Sequence, residues 1–429
     1  DCGINPGIET GPESYPMLDG PEFKLSDLDA IVLTHAHTDH SGFIPFLYKM
    51  GYRGPLYCTA PTRDISALLA LDSIGVSFKQ AKKNLFDIQD VKEMVKHTIT
   101  LNWEEVTDIT PDMRLTLYNS GHILGSSMIH LNVGNGSHNF LYTGDMKYLK
   151  TRVLDPAATK FPRLETVMIE STYGDKNAVL GSRKKAEERL VEVVEETVKK
   201  KGKILIPVLG VGRAQELLLV IESAIREGRM KKLPVYVQGM VWDITGIHTA
   251  YPDFLNKDLR RSIFHKDQNP FLSDVFKKVG SRKEQDAIME SNESCIIVAT
   301  AGMLNAGASL EYFKRMADNA KNSMIFVTYQ GAGTLGRRIQ DGERKIIFSD
   351  DGKASEVEVK LNLEIITDFT GHAGRTELMQ FVKDLNPRPR KILVQHGESS
   401  KCIDLASSLH KANRMETFAP KNLEGVRLR

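Results

Sequence analysis

Three histidines and one aspartate fall within the six residues His35-Ala36-His37-Thr38-Asp39-His40, directly after an apolar run at 30–33. Histidines two apart in extended backbone can turn both rings toward one point, and the Asp39-His40 pair can face a second point nearby. Imidazole and carboxylate without thiolate is the donor set of a catalytic zinc site that keeps a position open for water. The chain has only 12 histidines in all, which makes this concentration hard to read as a chance polar loop. Single residues elsewhere have the right company to complete such a site. His122 lies in Ser120-Gly121-His122-Ile123-Leu124-Gly125-Ser126, Asp145 in Tyr142-Thr143-Gly144-Asp145, and His396 in Val394-Gln395-His396-Gly397. Each follows or ends a strand-like run, where α/β proteins gather site residues from distant segments. Taken singly, each reads as a structural loop residue; beside the first motif each becomes a candidate ligand.

The elements that must position these residues are those of an α/β protein, with short β-rich runs alternating with amphipathic stretches. Residues 30–33 predict a strand, and 61–73 a helix with Pro61 near its start. Residues 114–118, 126–133 and 138–143 predict consecutive strands, the last two joined by the Gly134-Asn135-Gly136 turn. Residues 167–170 predict a buried strand. A different block starts near 176. Ser182 is placed to cap a helix whose apolar positions Ala186, Leu190, Val193, Val194 and Val198 keep helical spacing. Lys199, Lys200 and Lys201 fall at its negative end, and Gly202 stops it. Strand 204–208, the Gly210-Val211-Gly212-Arg213 turn and helix 214–226 then follow the βαβ grammar of a parallel sheet. Further strands are expected at 235–238, 295–299, 324–328 and 392–394, a surface hairpin at 350–358 and a terminal strand at 424–429.

Bulk properties exclude more than they identify. The 429 residues are 41% hydrophobic and 26% charged, with a net charge of +2, so no global field advertises a polyanionic partner. Cys2, Cys58, Cys295 and Cys402 share no CxxC spacing, which argues against a thiolate zinc site and a disulfide scaffold. No apolar run approaches the roughly 20 residues that span a bilayer. A soluble cytoplasmic protein without a membrane partner is expected. The opening Asp1-Cys2-Gly3-Ile4 reads as the end of a strand and its turn, as in a fragment of a longer chain.

The HxHxDH run, the later Gly-His, Gly-Asp and His-Gly pairs together resemble the metallo-β-lactamase superfamily. Four further segments narrow the match to its β-CASP branch of nucleases: Glu170-Ser171-Thr172-Tyr173-Gly174, Gly212-Arg213-Ala214-Gln215-Glu216, Gly333 to Arg338, and Gly371-His372-Ala373. The chain most resembles the archaeal relatives of the cleavage and polyadenylation specificity factor nuclease. The resemblance implies an αββα sandwich built from 1–175 and 367–429, lacking its first strands, with a β-CASP α/β domain inserted at 176–366. It implies two zinc ions, one on His35, His37 and His122 and one on Asp39, His40 and His396. Asp145 would bridge them, and Asp1 would steady a ligand loop. A histidine at the position of His396 goes with members that act on RNA.

Two zinc ions about 3.5–4 Å apart lower the pKa of a water and clamp a phosphate. The leaving oxygen then needs a proton, for which His372, oriented by Glu170, is the candidate donor; capping of a helix starting near Arg375 is its structural alternative. The products would carry 5′-phosphate and 3′-hydroxyl ends. Candidate RNA contacts are Tyr173 by stacking, Arg213, Arg337 and Arg338 by charge, and the backbone at Gly371 and Ala373. The function so implied is a zinc-dependent endonuclease on single-stranded RNA, with 5′→3′ exonuclease activity as an added capacity. It would act in 3′-end processing and transcription termination, beside the transcription machinery, as a homodimer joined through the C-terminal strand. A small-molecule metallohydrolase, a non-catalytic RNA-binding scaffold and a DNA-repair nuclease stand as alternatives. The first would not need so large an insertion, the second would not need a complete ligand set, and the third is disfavoured by His396.

Overall fold

The computed structural model describes residues 1–5, 11–18, 20, 23–79, 83–178, 180–350 and 353–428. It divides into two compact units, one formed by Asp1–Val179 with Gly371–Arg429, the other by Leu180–Thr370.

The first unit has four layers, and strand alternation explains them. A three-stranded parallel sheet joins Ile31–Val32, Leu56–Cys58 and Thr98–Thr100. Because successive side chains point to opposite faces, Ile31, Leu33, Leu56 and Cys58 pack under Leu47, Tyr48, Val91 and Met94 of helices Ile44–Lys49 and Ile88–Lys96. Val32 and Tyr57 instead meet Leu115, Leu117 and Ile129 of a second, seven-stranded sheet. That sheet runs in the order Glu416–Phe418, Lys391–Gln395, Thr166–Glu170, His138–Tyr142, Ser127–Val133, Met113–Asn119, Val106–Thr110. Its far face, with Val167, Ile169, Ile392 and Val394, buries Leu378, Phe381, Leu405 and Leu409 of helices Arg375–Asp384 and Ser399–Asn413. Helix, sheet, sheet, helix is the expected sandwich. The strands ending at Phe418, Gln395, Glu170 and Tyr142 are parallel. Two antiparallel steps then bring Met113–Asn119 back to the same direction. The carboxyl ends of five strands therefore share one edge of the sheet.

The second unit holds a six-stranded parallel sheet in the order Phe276–Val279, Val235–Gln238, Ile296–Ala299, Ile204–Pro207, Ser323–Phe326, Asn362–Ile365. Its inner strands are near-continuous apolar runs because both faces are covered. Ile204, Ile206, Val235 and Val298 pack with helices Arg183–Lys199 and Arg213–Arg226. Leu205, Ile297, Met324 and Phe326 pack with Tyr312, Phe313 and Ile339 on the other side. No helix among the described residues is long and apolar enough to cross a membrane.

Several expectations change. The helix expected at 61–73 spans Ala60–Lys79 and runs through Gly75, its buried Ile65 and Ala70 carried by the core beneath. Ser182 occupies the cap position of its helix, but its hydroxyl makes no capping hydrogen bond. The hairpin pairs Lys345–Asp350 with Lys353–Glu358, so it begins five residues earlier than the expected 350; residues 351–352 lie outside the described residues. Residues 424–428 are not a strand, and residue 429 lies outside the described residues. Their alternating composition makes no ladder among the described residues. The edge position belongs to Glu416–Phe418, so the terminal strand offered for dimerisation is absent from this part of the chain.

Candidate metal centre

His122, Asp145 and His396 come from turns at the shared edge of the seven-stranded sheet, and the other candidate ligands from the segment after a strand of the three-stranded sheet. His35 and His37 follow strand Ile31–Val32, and Asp39 and His40 open the short helix Thr38–Ser41. Segment 2–4 lies against that helix, with Cys2 N donating to His40 O at 2.7 Å and Ile4 N to Thr38 O at 2.9 Å. The approach is possible because residue 3 is glycine: a Cβ there would stand 1.8 Å from Asp39 O. His122 is held by the turn after Met113–Asn119, where Gly121 has φ +72 and a Cβ would meet Lys147 O at 2.6 Å. Asp145 follows His138–Tyr142, and Glu170 is the last residue of Thr166–Glu170. His396 follows Lys391–Gln395 in the left-handed region, φ 55, a conformation uncommon for a residue with a side chain.

Two groups of donors result, and one carboxylate faces both. His35 Nε2 lies 3.2 Å from His37 Nδ1, which lies 3.0 Å from His122 Nε2. Asp145 Oδ2 is 3.5 Å from both His35 Nε2 and His122 Nε2. On the other side, His40 Nε2 lies 3.1 Å from His396 Nε2, 3.3 Å from Asp145 Oδ1 and 3.8 Å from Asp39 Oδ2. Both groups could hold a metal ion.

The ring protons are fixed from behind. The Thr34 hydroxyl donates to Asp1 Oδ2 at 2.8 Å, so at 2.9 Å it must accept from His35 Nδ1–H. His40 Nδ1–H donates to Asp1 Oδ2 at 2.7 Å, and His122 Nδ1–H to Gly371 O at 2.8 Å. The Nε2 lone pairs of His35, His40 and His122 are therefore turned inward. Those of His35 and His122 converge with His37 Nδ1 and the Asp145 carboxylate, and a cation is what such a set of donors suits. Four ligand atoms about 2.0–2.1 Å from a tetrahedral zinc stand about 3.3–3.4 Å apart, close to the separations in the first group. The residues present fit the metal.

Charge points the same way. Burial and the neighbouring His40 hold His35 down to about 4; burial and His35 hold His37 down to about 3. Burial and His372 push His122 well below the usual range. The first group is thus neutral and ready to donate. In the second, burial works against the charged forms of His40 and His396, but the carboxylates of Asp145 and Asp39 outweigh it and both pKa values rise. Burial would raise Asp145, yet the surrounding histidines hold it well below its ordinary value. Its Oδ1 is buried without a hydrogen-bond donor.

His372 Nδ1 lies 3.1 Å from each oxygen of the fully buried Glu170, and its Nε2 is 3.8 Å from Asp145 Oδ2. Capping of helix Arg375–Asp384 is not its role, since that cap is Gly374 with no side-chain bond. Tyr173 stands with its ring 6.3 Å from that of His372. The carbonyl of Gly371 is used by His122, and the N–H of Ala373, expected to meet RNA, donates to Met146 O at 2.7 Å. Arg213, Arg337 and Arg338 lie in the second unit. Arg213 reaches Val327 O at 3.4 Å; Arg337 pairs with Asp341 at 3.0 Å and Arg338 with Glu343 at 2.6 Å. The charges of Arg337 and Arg338 are matched by local acids rather than left open.

Sequence reading missed the supports. Thr34 and Tyr142 complete the web on Asp1, Tyr142 donating to Oδ2 at 2.9 Å. Lys147 is buried, donates to His372 O at 3.0 Å and pairs with Glu377 at 2.7 Å, pinning the His372 loop. No spacing marks that lysine; only its place two residues after Asp145 could have drawn notice.

Residues 2–172 match the metallo-beta-lactamase superfamily domain, residues 214–339 the Beta-Casp domain, and residues 356–420 the Zn-dependent metallo-hydrolase RNA specificity domain. The chain is 52% identical over 429 residues to the transcription termination factor FttA of Methanothermobacter thermautotrophicus. It is 48% identical over 430 residues to that of Methanocaldococcus jannaschii and 49% over 436 to that of Thermococcus kodakarensis. In each case all of this chain aligns with 67% of the relative.

Proposed function

The chain belongs to the β-CASP branch of the metallo-β-lactamase superfamily, in the family of these archaeal factors, and on that premise we propose that it hydrolyses phosphodiester bonds of single-stranded RNA with two zinc ions, in transcript 3′-end formation and transcription termination. The observation that carries this reading is Asp145, whose two oxygens face two separate sets of imidazoles. His35, His37 and His122 would hold one ion, Asp39, His40 and His396 the other, and Asp145 both. When bound, such a pair supplies Lewis acidity that activates a water and offsets the charge of a phosphate.

The chain's own residues do the rest. Asp1, Thr34 and Gly371 keep the ring protons off the inward nitrogens, so the donors need no reorganisation. Glu170 fixes the His372 ring by Nδ1 and leaves Nε2 facing the same centre, where it hands a proton to the departing 3′-oxygen. Tyr173, beside His372, is placed to stack on a flanking base. The inserted β-CASP domain corresponds to the second unit.

End-group analysis tests the reading. RNA incubated with the zinc-loaded protein is expected to yield fragments with ligatable 5′-phosphates and free 3′-hydroxyls. Cyclic or 3′-phosphate ends, or intact RNA with turnover of a thioester or lactam, would reject it.

A further inference from the structure

Helix Lys257–Lys266 in the second unit has no fully buried residue, and its outer face has an unusual composition. Lys257, Arg260, Arg261, Phe264 and His265 fall at i, i+3, i+4, i+7 and i+8, which is one stripe of an α-helix. With Asp253 they line an open groove of about 410 Å³. Such a stripe is ordinarily apolar and turned to a core; here Leu259 and Ile263 take that part and the cationic stripe is turned outward. The helix carries Lys257, Arg260, Arg261 and Lys266 against the single acid Asp258.

Two features separate this face from an ordinary solvated one. Some helical cations elsewhere are matched along their own helix, as Arg226 with Glu222 at 3.2 Å and Arg337 with Asp341 at 3.0 Å. Lys257, Arg261 and Lys266 have no carboxylate within ion-pairing distance among the described residues. Among these unmatched cations stands Phe264, 56% exposed. A lone exposed aromatic is unremarkable, but cations flanking an open aromatic ring are the combination that grips single-stranded nucleic acid: charge for the backbone, a flat face for a base.

We propose that the groove along Lys257, Arg261 and Phe264 binds single-stranded RNA, the two cations meeting phosphates and the ring stacking on a base. The choice of RNA rests on the proposed activity, whereas the binding itself needs no metal. The test therefore uses the whole chain in EDTA, so that a failure to bind is read apart from a failure to cut. A fluorescein-labelled oligouridylate is titrated by anisotropy across a series of salt concentrations. Lys257→Gln with Arg261→Gln is expected to lower the slope of log affinity against log salt by about 1.4, about 0.7 for each lost contact. Phe264→Ala is expected to weaken binding about fivefold or more at every salt concentration, with the slope kept. All three side chains are at the surface, and matching thermal melts would confirm that the variants fold. An unchanged slope in the double variant would overturn the proposal. So would a Phe264→Ala chain that binds as tightly as the unaltered one, or one that loses equal affinity for base-paired RNA.

Discussion

Replacing Glu170 by glutamine exchanges one carboxylate oxygen for an NH2 group at the back of the proposed acid. Glu170 Oε1 accepts from Met146 N at 2.8 Å, Oε2 accepts from Thr172 N at 3.3 Å, and both lie 3.1 Å from His372 Nδ1. Every neighbour is a donor. An amide can keep its oxygen on Met146 N, the shortest of these bonds, but its NH2 then faces Thr172 N–H and His372 Nδ1–H, donor against donor. What is lost is a buried hydrogen bond to a charged group, worth about 1.5–3 kcal/mol. Expressed at the step that needs the proton, that is about 10- to 150-fold in rate. The ligands themselves are untouched. Single-turnover cleavage of an end-labelled RNA, read beside zinc content, is the assay. The expected result is a slowing within that range with zinc content unchanged. A rate within twofold of the original would refute the role of Glu170 in holding His372. A loss of zinc in step with the rate would show that Glu170 supports the metal groups instead.

Asp145→Asn leaves one oxygen for two groups, so zinc per chain should fall to one or fewer by elemental analysis and cutting should vanish; retention of both ions would remove Asp145 from the bridging role. Lys147→Met takes away the cation that links His372 O and Glu377, leaving Glu377 with the Leu149 N–H at 3.2 Å but without its counter-charge, at a cost of about 2 kcal/mol. Turnover should drop while zinc stays, and an unaltered turnover would show that the loop holds its place without the lysine. In the second unit, burial holds His248 down to about 4, its Nδ1 donating to Ile244 O and its Nε2 unsatisfied. A lowered folded-state pKa means that the unfolded chain takes up the proton first. The contribution is whole above about 6.5 and is lost as pH falls from there to about 4, about 3 kcal/mol in total. Denaturant titrations of His248→Leu should show a shallower loss over that window than the unaltered chain, and parallel curves would sink the assignment.

Four of the seven candidate ligands, His35, His37, Asp39 and His40, were legible because they sit in one run, and the apolar strand before it says where the run ends up. His122, Asp145 and His396 were legible only as strand-end residues, since what unites them is the direction of five strands in one sheet, a property of pairing and not of any segment. The web around Asp1 was half legible: the carboxylate follows from the resemblance, but Thr34 and Tyr142 join it through a tertiary contact that no local pattern encodes. Lys147 was illegible for the same reason. Elements announced by their own ends could have been found: Asp87 with Asp90, and Ser281 with Glu284, form capping boxes that mark helices Ile88–Lys96 and Arg282–Glu290. The terminal 424–428 segment shows the reverse failure, in which alternation mimics a strand that finds no partner among the described residues.

The most direct test of the central claim is zinc content measured together with RNA cleavage in the unaltered chain, His35→Ala and His372→Ala. Two zinc ions per chain with cutting, loss of zinc and cutting in His35→Ala, and retained zinc without cutting in His372→Ala are the predicted results. A chain that binds no zinc, or one that binds two ions and leaves RNA whole, would contradict the account.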